Sequence, residues 1–344
     1  MSRWAVVLAG GIGSRFWPLS TPSRPKQLLP LVTDRPLLEE SVERLLPIAD
    51  ASRILILTNA SLVQQIAKLL PAIPHENIVA EPKPAGTAAA LTWAALEIER
   101  RDGPDATMLS VHADWAIGDE DAFRDALLRA EKVAIDQRAL VTVGVIPSRP
   151  ETGYGYIEPE EKKATGAPVR RFVEKPNRAD AEQFIRAGYL WNSGIFVWRV
   201  GDFLAEVSAL TPEIAGALEG EARTNLAKFF SSVRPISVDH GVLERSKKVM
   251  VVAADFGWDD IGAWPALRRS RALDEHGNSA SGSVHLVDSS NNVVHAENGT
   301  VVMYGVSDLV VVAREGITLV TTADKAADLK SLVESLPAEL RNKS

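Results

Sequence analysis

The feature that most constrains this chain is the alternation, over its first two thirds, of short apolar runs with stretches of helical spacing. Ala5 to Leu8, Arg53 to Thr58, Ala106 to Val111 and Ala139 to Ile146 read as buried strands, and 36–46, 61–70, 87–100 and 121–136 as amphipathic helices. A helix between two strands carries the chain back to the start of the sheet in the same direction. The pattern therefore predicts an α/β fold built on a doubly wound, mainly parallel, Rossmann-like sheet.

After about residue 275 the texture changes. Gly277-Asn278, Asn298-Gly299, Gly305 and Gly316 punctuate β-rich runs at 292–296, 300–304, 309–313 and 318–321, and 325–336 reads as a closing helix. The expected organisation is a large domain over 1–275 and a small β unit over 276–344.

The chain contains no cysteine, which excludes a disulfide framework, a thiolate zinc site and a cysteine nucleophile, and fits a reducing, cytoplasmic setting. The first apolar run, Trp4 to Ala9, is too short for a signal segment, and no later run approaches the roughly 20 apolar residues of a membrane span. No membrane partner is expected. A net charge of −7 argues against nucleic acid, whose binders carry a basic face. Small anions need only a local group of cations.

Such a group follows the first strand. Leu8-Ala9-Gly10-Gly11-Ile12-Gly13-Ser14-Arg15 is succeeded by Pro18-Leu19-Ser20 and Arg24-Pro25-Lys26-Gln27. The glycines allow backbone N–H groups to approach a phosphate or a base edge, and Arg15 and Lys26 supply charge. No Gly-Lys-Ser/Thr follows, so this is not a P-loop, and Phe16 stands where a dinucleotide fold needs its third glycine. Taken alone, the glycines would better suit a tight strand-to-helix turn with incidental surface cations.

The complete string closely resembles the signature of the sugar nucleotidyltransferases, and its Pro-Leu-Ser and Pro-Lys-Gln forms are similar to those of the mannose-1-phosphate guanylyltransferase branch. Later segments resemble the family's remaining motifs in order: Glu81-Pro82 with Gly86-Thr87-Ala88, Asp114 after an apolar strand, the glycine loop Thr152 to Ile157, Phe172-Val173-Glu174-Lys175-Pro176, Trp191-Asn192-Ser193-Gly194, Ser237-Val238-Asp239, and Gly257 to Gly262. Singly, each has a plainer reading: Lys175 a solvated lysine, Asn192 a turn residue, Asp259-Asp260 a helix cap, and Tyr154, Tyr156, Trp191 and Trp258 packing residues.

The resemblance implies a GT-A-type catalytic domain over 1–275, a β-helix-like C-terminal unit, and transfer of GMP from GTP to mannose 1-phosphate, giving GDP-mannose and pyrophosphate. Leu8, Ala9, Gly10, Gly11, Gly13, Ser14, Glu81, Gly86 and Thr87 would surround the nucleotide. Arg15 and Lys26 would hold the triphosphate, and Lys175 the sugar phosphate. Gly153, Glu174, Asn192 and Asp239 would face the sugar, and Asp114 and Asp260 would share one Mg²⁺. A homodimer is implied through the C-terminal unit. Bifunctional relatives append an isomerase domain of well over a hundred residues, and with about 70 residues following Asp260 and its helix, isomerase activity is not expected.

Two positions depart from the branch. Gly86 stands in Pro84-Ala85-Gly86-Thr87 where Arg-Asn-Thr is usual, and Trp115 follows Asp114 where histidine is usual. A different sugar phosphate or nucleotide, and a catalytically silent regulatory homologue, stay open as alternatives. A dinucleotide-dependent oxidoreductase is set aside, because Asn59 stands where an acidic ribose ligand would be needed.

Overall fold

The computed structural model describes residues 1–11, 13–161 and 165–341; Ile12 of the glycine segment lies outside them. The described residues form two compact units, one of 1–10, 42–112 and 119–258, the other of 11–41, 113–118 and 259–344.

Among the described residues, the first unit holds a nine-stranded sheet: β1 Arg3–Leu8, β2 Ile54–Asn59, β3 Ile78–Glu81, β4 Thr107–His112, β5 Leu140–Val145, β6 Tyr156–Pro159, β7 Ala167–Val173, β8 Leu190–Arg199 and β9 Val249–Ala254, in the order β3-β2-β1-β4-β8-β5-β9-β7-β6. β1 runs parallel to β2 and β4, β2 to β3, and β5 to β9. β8 lies antiparallel between β4 and β5, and β7 is antiparallel to β9 and β6. Thus β1 to β6 and β9 share one direction, as expected of a mainly parallel sheet, and β7 and β8 oppose it.

The central strands are apolar without alternation, because both their faces are covered. Val6, Leu8, Leu55 and Leu57 pack into one core with Leu91, Trp93, Phe203 and Phe229. Each such side chain contributes on the order of 2 kcal/mol by leaving water. The helix Gly86–Asp102 is rich in alanine and buried around most of its circumference. It ends at Gly103, whose φ of 84° a side chain would resist and whose N–H caps the Glu99 carbonyl.

In the second unit β10 Ser279–Val287, β11 Val293–Tyr304 and β12 Leu309–Arg314 are parallel neighbours, and β13 Ile317–Thr322 returns antiparallel. The separately expected runs 292–296 and 300–304 are one strand, interrupted where Ala296 pairs with Gly282 and Thr300 with Ser283. The expected closing helix is two short ones, Ala323–Ala326 and Leu329–Ser335. Two buried asparagines stack the turns of the β unit. Asn292 Nδ2 donates to Asn278 Oδ1 at 3.0 Å and to the Val306 carbonyl at 3.1 Å, while its Oδ1 accepts from Leu309 N at 2.9 Å. Phe16, Trp17, Leu29, Trp264, Leu267, Val310, Val312 and Leu329 form this unit's core. Among the described residues no helix is long and apolar enough to cross a membrane.

Candidate active site

The chain order reverses between β1 and β4, which is where open α/β sheets present a ligand crevice at the carboxyl ends of their strands. The glycine segment leaves the end of β1, and Asp114 stands two residues past β4.

Within the second unit, three distant motifs meet on Lys26. Its Nζ donates to Asp114 Oδ2 at 3.1 Å and to the backbone carbonyl of Asp260 at 2.7 Å. The stem of this lysine is buried, and its ammonium sits 5.7 Å from the centre of the Phe16 ring. Gly13 makes room for it: a Cβ there would lie 2.3 Å from Lys26 Cβ, and the φ of 68° already favours glycine. The segments that carry the two aspartates are joined by a bridge in which Ala116 N donates to the Asp259 carbonyl at 2.9 Å and Asp259 N to the Ala116 carbonyl at 3.1 Å.

The neighbouring acids at 259 and 260 do different work. Asp259 is buried and accepts from Arg269 Nε at 2.6 Å and from Ile261 N at 2.9 Å, so it fixes the turn. Asp260 accepts from Gly262 N at 3.0 Å. The Asp114 side chain is 37% exposed and accessible to a ligand. The Asp114 carboxylate and the Asp260 backbone thus meet at one lysine, and a hard divalent cation, which takes one or two carboxylates and completes its shell with phosphate oxygens and water, suits residues of this kind. Arg15 and Ser14 are exposed, in the short helical turn Ser14–Phe16, and Gly11 is exposed as well.

The nucleotide-side residues of the first unit are arranged less uniformly than their motifs suggest. Leu8 is a paired residue of β1, and Ala9 donates its N–H to the Leu57 carbonyl at 2.8 Å and accepts Thr58 Oγ1 at 3.0 Å. Both belong to the sheet's hydrogen bonding. Gly10 and Glu81 instead line a cavity of about 290 Å³ with Asn59, Ser61, Lys83 and Pro84. Burial raises the Glu81 carboxyl from its ordinary 4.5 to about 7. No motif marks Asn59 or Ser61 as companions of Glu81, because they lie at the end of β2 while Glu81 ends β3.

Thr87 and Gly86 lean toward a neighbouring segment. Thr87 Oγ1 accepts from Val238 N at 2.9 Å, Ala88 N donates to the Ile236 carbonyl at 3.2 Å, and Ile236 N to the Ala85 carbonyl at 3.3 Å. A Cβ on Gly86 would lie 2.2 Å from that Ile236 carbonyl oxygen, with φ at 80°. The departure at position 86 therefore has a steric cause in this chain.

That segment leads directly into the sugar-side cluster. Asn192, on β8 rather than in a turn, donates through Nδ2 to Asp239 Oδ1 at 2.8 Å. Burial raises the Asp239 carboxyl, the bond from Asn192 opposes the rise, and the nearby Glu174 charge adds to it. Asn192 N also donates to the Gly155 carbonyl at 2.8 Å, which ties the glycine loop to β8. A Cβ on Gly155 would lie 2.9 Å from Glu174 Oε2. Gly153 N donates to Glu151 Oε1 at 3.2 Å, and exposed Lys175 pairs with Glu174 at 3.0 Å. Tyr154, Trp191 and Trp258 form an edge-to-face cluster, and Arg149, a residue the motifs did not indicate, stands 5.0 Å from the Trp191 ring.

The chain is similar to several known proteins. A model of the nucleotidyl transferase family matches residues 4–276, and a MannoseP isomerase/GMP-like beta-helix domain matches 282–336. The mannose-1-phosphate guanylyltransferase of Escherichia coli K12 is 37% identical over 98% of this chain and 74% of its own length, and that of Klebsiella pneumoniae is 36% identical over the same shares. A crystal structure from Thermus thermophilus, described as a mannose-1-phosphate geranyltransferase, superposes with a TM-score of 0.90 at 34% identity, covering 97% of this chain and 99% of the other. The chain belongs to the nucleotidyl transferase family, in its mannose-1-phosphate guanylyltransferase branch.

Proposed function

We propose that the protein transfers GMP from GTP to α-D-mannose 1-phosphate, giving GDP-mannose and pyrophosphate. The observation that carries this reading is the convergence of Lys26, Asp114 and Asp260 on one ammonium group. The names of the similar proteins supply the substrates.

A phosphate oxygen of mannose 1-phosphate attacks the α-phosphorus of GTP as the bond from that phosphorus to the bridging oxygen breaks, and pyrophosphate leaves with the bonding pair. No side chain needs to become a nucleophile. Catalysis consists of holding the attacking and leaving oxygens in line and compensating charge as it moves toward pyrophosphate. Arg15 and Lys26 do this for the triphosphate, with backbone groups of Gly10, Gly11, Gly13 and Ser14 around it. Mg²⁺ held by Asp114 and Asp260 would supply further charge neutralisation on the phosphates. Glu81 accepts from the N1 and N2 donors of guanine. Lys175 holds the sugar phosphate, and Glu174, Asn192, Asp239 and the Gly153 loop take the sugar hydroxyls. Residues 1–275 act as the catalytic domain, in the cytoplasm.

The C-terminal β unit makes a homodimer in this reading. Val287, Val302, Tyr304 and Val320 are large apolar residues exposed on its strands, and exposed apolar side chains suit a contact surface. A monomeric mass by light scattering at micromolar concentration would count against the dimer.

The reaction is tested by pyrophosphate release with Mg²⁺, crossing GTP, ATP, UTP and dTTP against mannose 1-phosphate and glucose 1-phosphate. GTP with mannose 1-phosphate is expected to be fastest. A different winning pair would overturn the substrate assignment, and silence with every pair would overturn the enzymatic one.

A further inference from the structure

We infer that Glu297 is a positioning residue for the phosphate-binding segment, a carboxylate of the C-terminal β unit that holds the stretch from Pro18 to Lys26 through Arg24 and Arg314. The inference rests on the proposed reading for its catalytic consequence, though not for its geometry.

The β10–β11 ladder makes the device. Ala296 pairs with Gly282 and the next paired residue is Thr300, so Glu297, Asn298 and Gly299 bulge out of the pairing. Gly282 permits this: its φ is 86°, and a Cβ there would lie 1.9 Å from the Ala296 carbonyl oxygen. Bulges re-aim side chains. Here Glu297 Oε1 meets Arg24 Nη1 at 2.5 Å, and Oε2 meets Arg314 Nε at 3.5 Å. Arg314 in turn donates through Nη1 to the Pro18 carbonyl at 2.9 Å.

One carboxylate thus grips both ends of the 18–24 stretch. Its far end is short and stiff. Thr21 and Arg24 exchange two backbone bonds of 3.0 Å, and Pro25 alone separates Arg24 from Lys26, where a tight helical turn begins. Proline fixes φ, so a displacement of Arg24 is passed on to Lys26 rather than absorbed. Without the negative charge, Arg24 loses this ion pair and the link from Arg24 through Glu297 to Arg314 is broken. Neither Glu297 nor Arg314 lies in any motif of the glycine segment, and only the fold reveals their link to Lys26.

The test uses the full-length protein with Glu297→Gln, Arg24→Gln and the double variant, read by steady-state pyrophosphate release and by hydrogen exchange. Glu297→Gln is expected to lower kcat about tenfold, since a small misplacement of a charge-compensating group has effects of this order. KM for mannose 1-phosphate should stay within about twofold, because the sugar side is untouched. Exchange should quicken in residues 13–29 and stay unchanged elsewhere. Arg24→Gln should reproduce the loss, and the double variant should be no worse than either single one. Unchanged exchange in 13–29, additive losses in kcat, or loosening of the whole C-terminal unit would each overturn the inference. If the unmodified protein turns over no substrate pair, the proposed function falls, and the exchange pattern alone decides whether Glu297 holds the segment.

Discussion

Lys26 and Asp114 are 88 residues apart in the chain and meet at 3.1 Å, with the same ammonium bonded to the Asp260 carbonyl at 2.7 Å. In the proposed reaction this buried lysine stem, its charge held between two acidic loops, takes the phosphates of the substrate. Asp260→Ala and Lys26→Met should each lower kcat for pyrophosphate release by at least about a hundredfold, the scale on which a single charge-compensating group acts. Asp260→Ala should also lose Mn²⁺ binding by titration, while Lys26→Met should keep it. Retention of Mn²⁺ affinity in Asp260→Ala would remove the aspartate from the cation site.

The bond from Val238 N to Thr87 Oγ1, 2.9 Å long, links the helix that starts on the nucleotide side to the residue preceding Asp239. Thr87→Val keeps the shape and removes the acceptor, leaving a part-buried N–H without a partner at a cost of about 1–3 kcal/mol. The expected result is a lower midpoint of chemical denaturation together with a raised KM for mannose 1-phosphate. Thr87→Ser should recover both. If Thr87→Val raises only the KM for GTP, the hydroxyl serves the nucleotide rather than the Asp239 segment.

How much of this is legible in the sequence follows from which interactions are local. The strands β1, β2, β4 and β5 announce themselves because burial on both faces demands unbroken apolar runs. β8 does not, because Trp191-Asn192-Ser193-Gly194 mixes polar residues into a strand, where Asn192 bonds Asp239 and buried Ser193 bonds the Val143 carbonyl. Asp114, Asp260 and Lys26 are recognisable as motif positions, yet their meeting depends on the Ala116 and Asp259 bridge, which pairs residues 143 positions apart. Gly86 and Thr87 look like nucleotide contacts, and only the packing of Ile236 and Val238 against them reveals their second attachment. The adjacent aspartates 259 and 260 are alike in sequence and become distinct only when Arg269 takes one of them.

Burial holds the Glu81 carboxyl near 7, so at neutral pH it is poised between an acceptor and a donor. Guanine offers donors at N1 and N2 and requires the ionised form. With the free-protein value at about 7, a fall from pH 8 to pH 6 protonates most of the Glu81 population, and GTP must expel that proton to bind. Affinity should drop about tenfold across that interval by linkage. ATP, whose phosphates titrate alike, provides the baseline, so the quantity to follow by calorimetry is the ratio of the two dissociation constants. Glu81→Gln should flatten the ratio. A ratio that is constant with pH in the unmodified protein would exclude Glu81 from base recognition.

The β unit lacks the large core of the first unit, so its turns depend on buried polar groups. Asn292 is fully buried and bonds Asn278, the Val306 carbonyl and Leu309 N, joining three successive turns. Asn292→Leu has similar volume and strands the Leu309 donor, while the Asn278 side-chain oxygen and the Val306 carbonyl each lose one of two donors. The stranded N–H costs about 1–3 kcal/mol and the weakened acceptors add to it, of which the apolar side chain returns only part. The unit should therefore unfold at lower denaturant than the rest, turning one transition into two when followed by tryptophan fluorescence and circular dichroism together. Through Glu297 that loss should reach the Pro18 to Lys26 stretch, so kcat should fall in the first transition, before the large sheet melts. A single transition with unaltered midpoint would mean that the stacked asparagines carry little of the unit's stability.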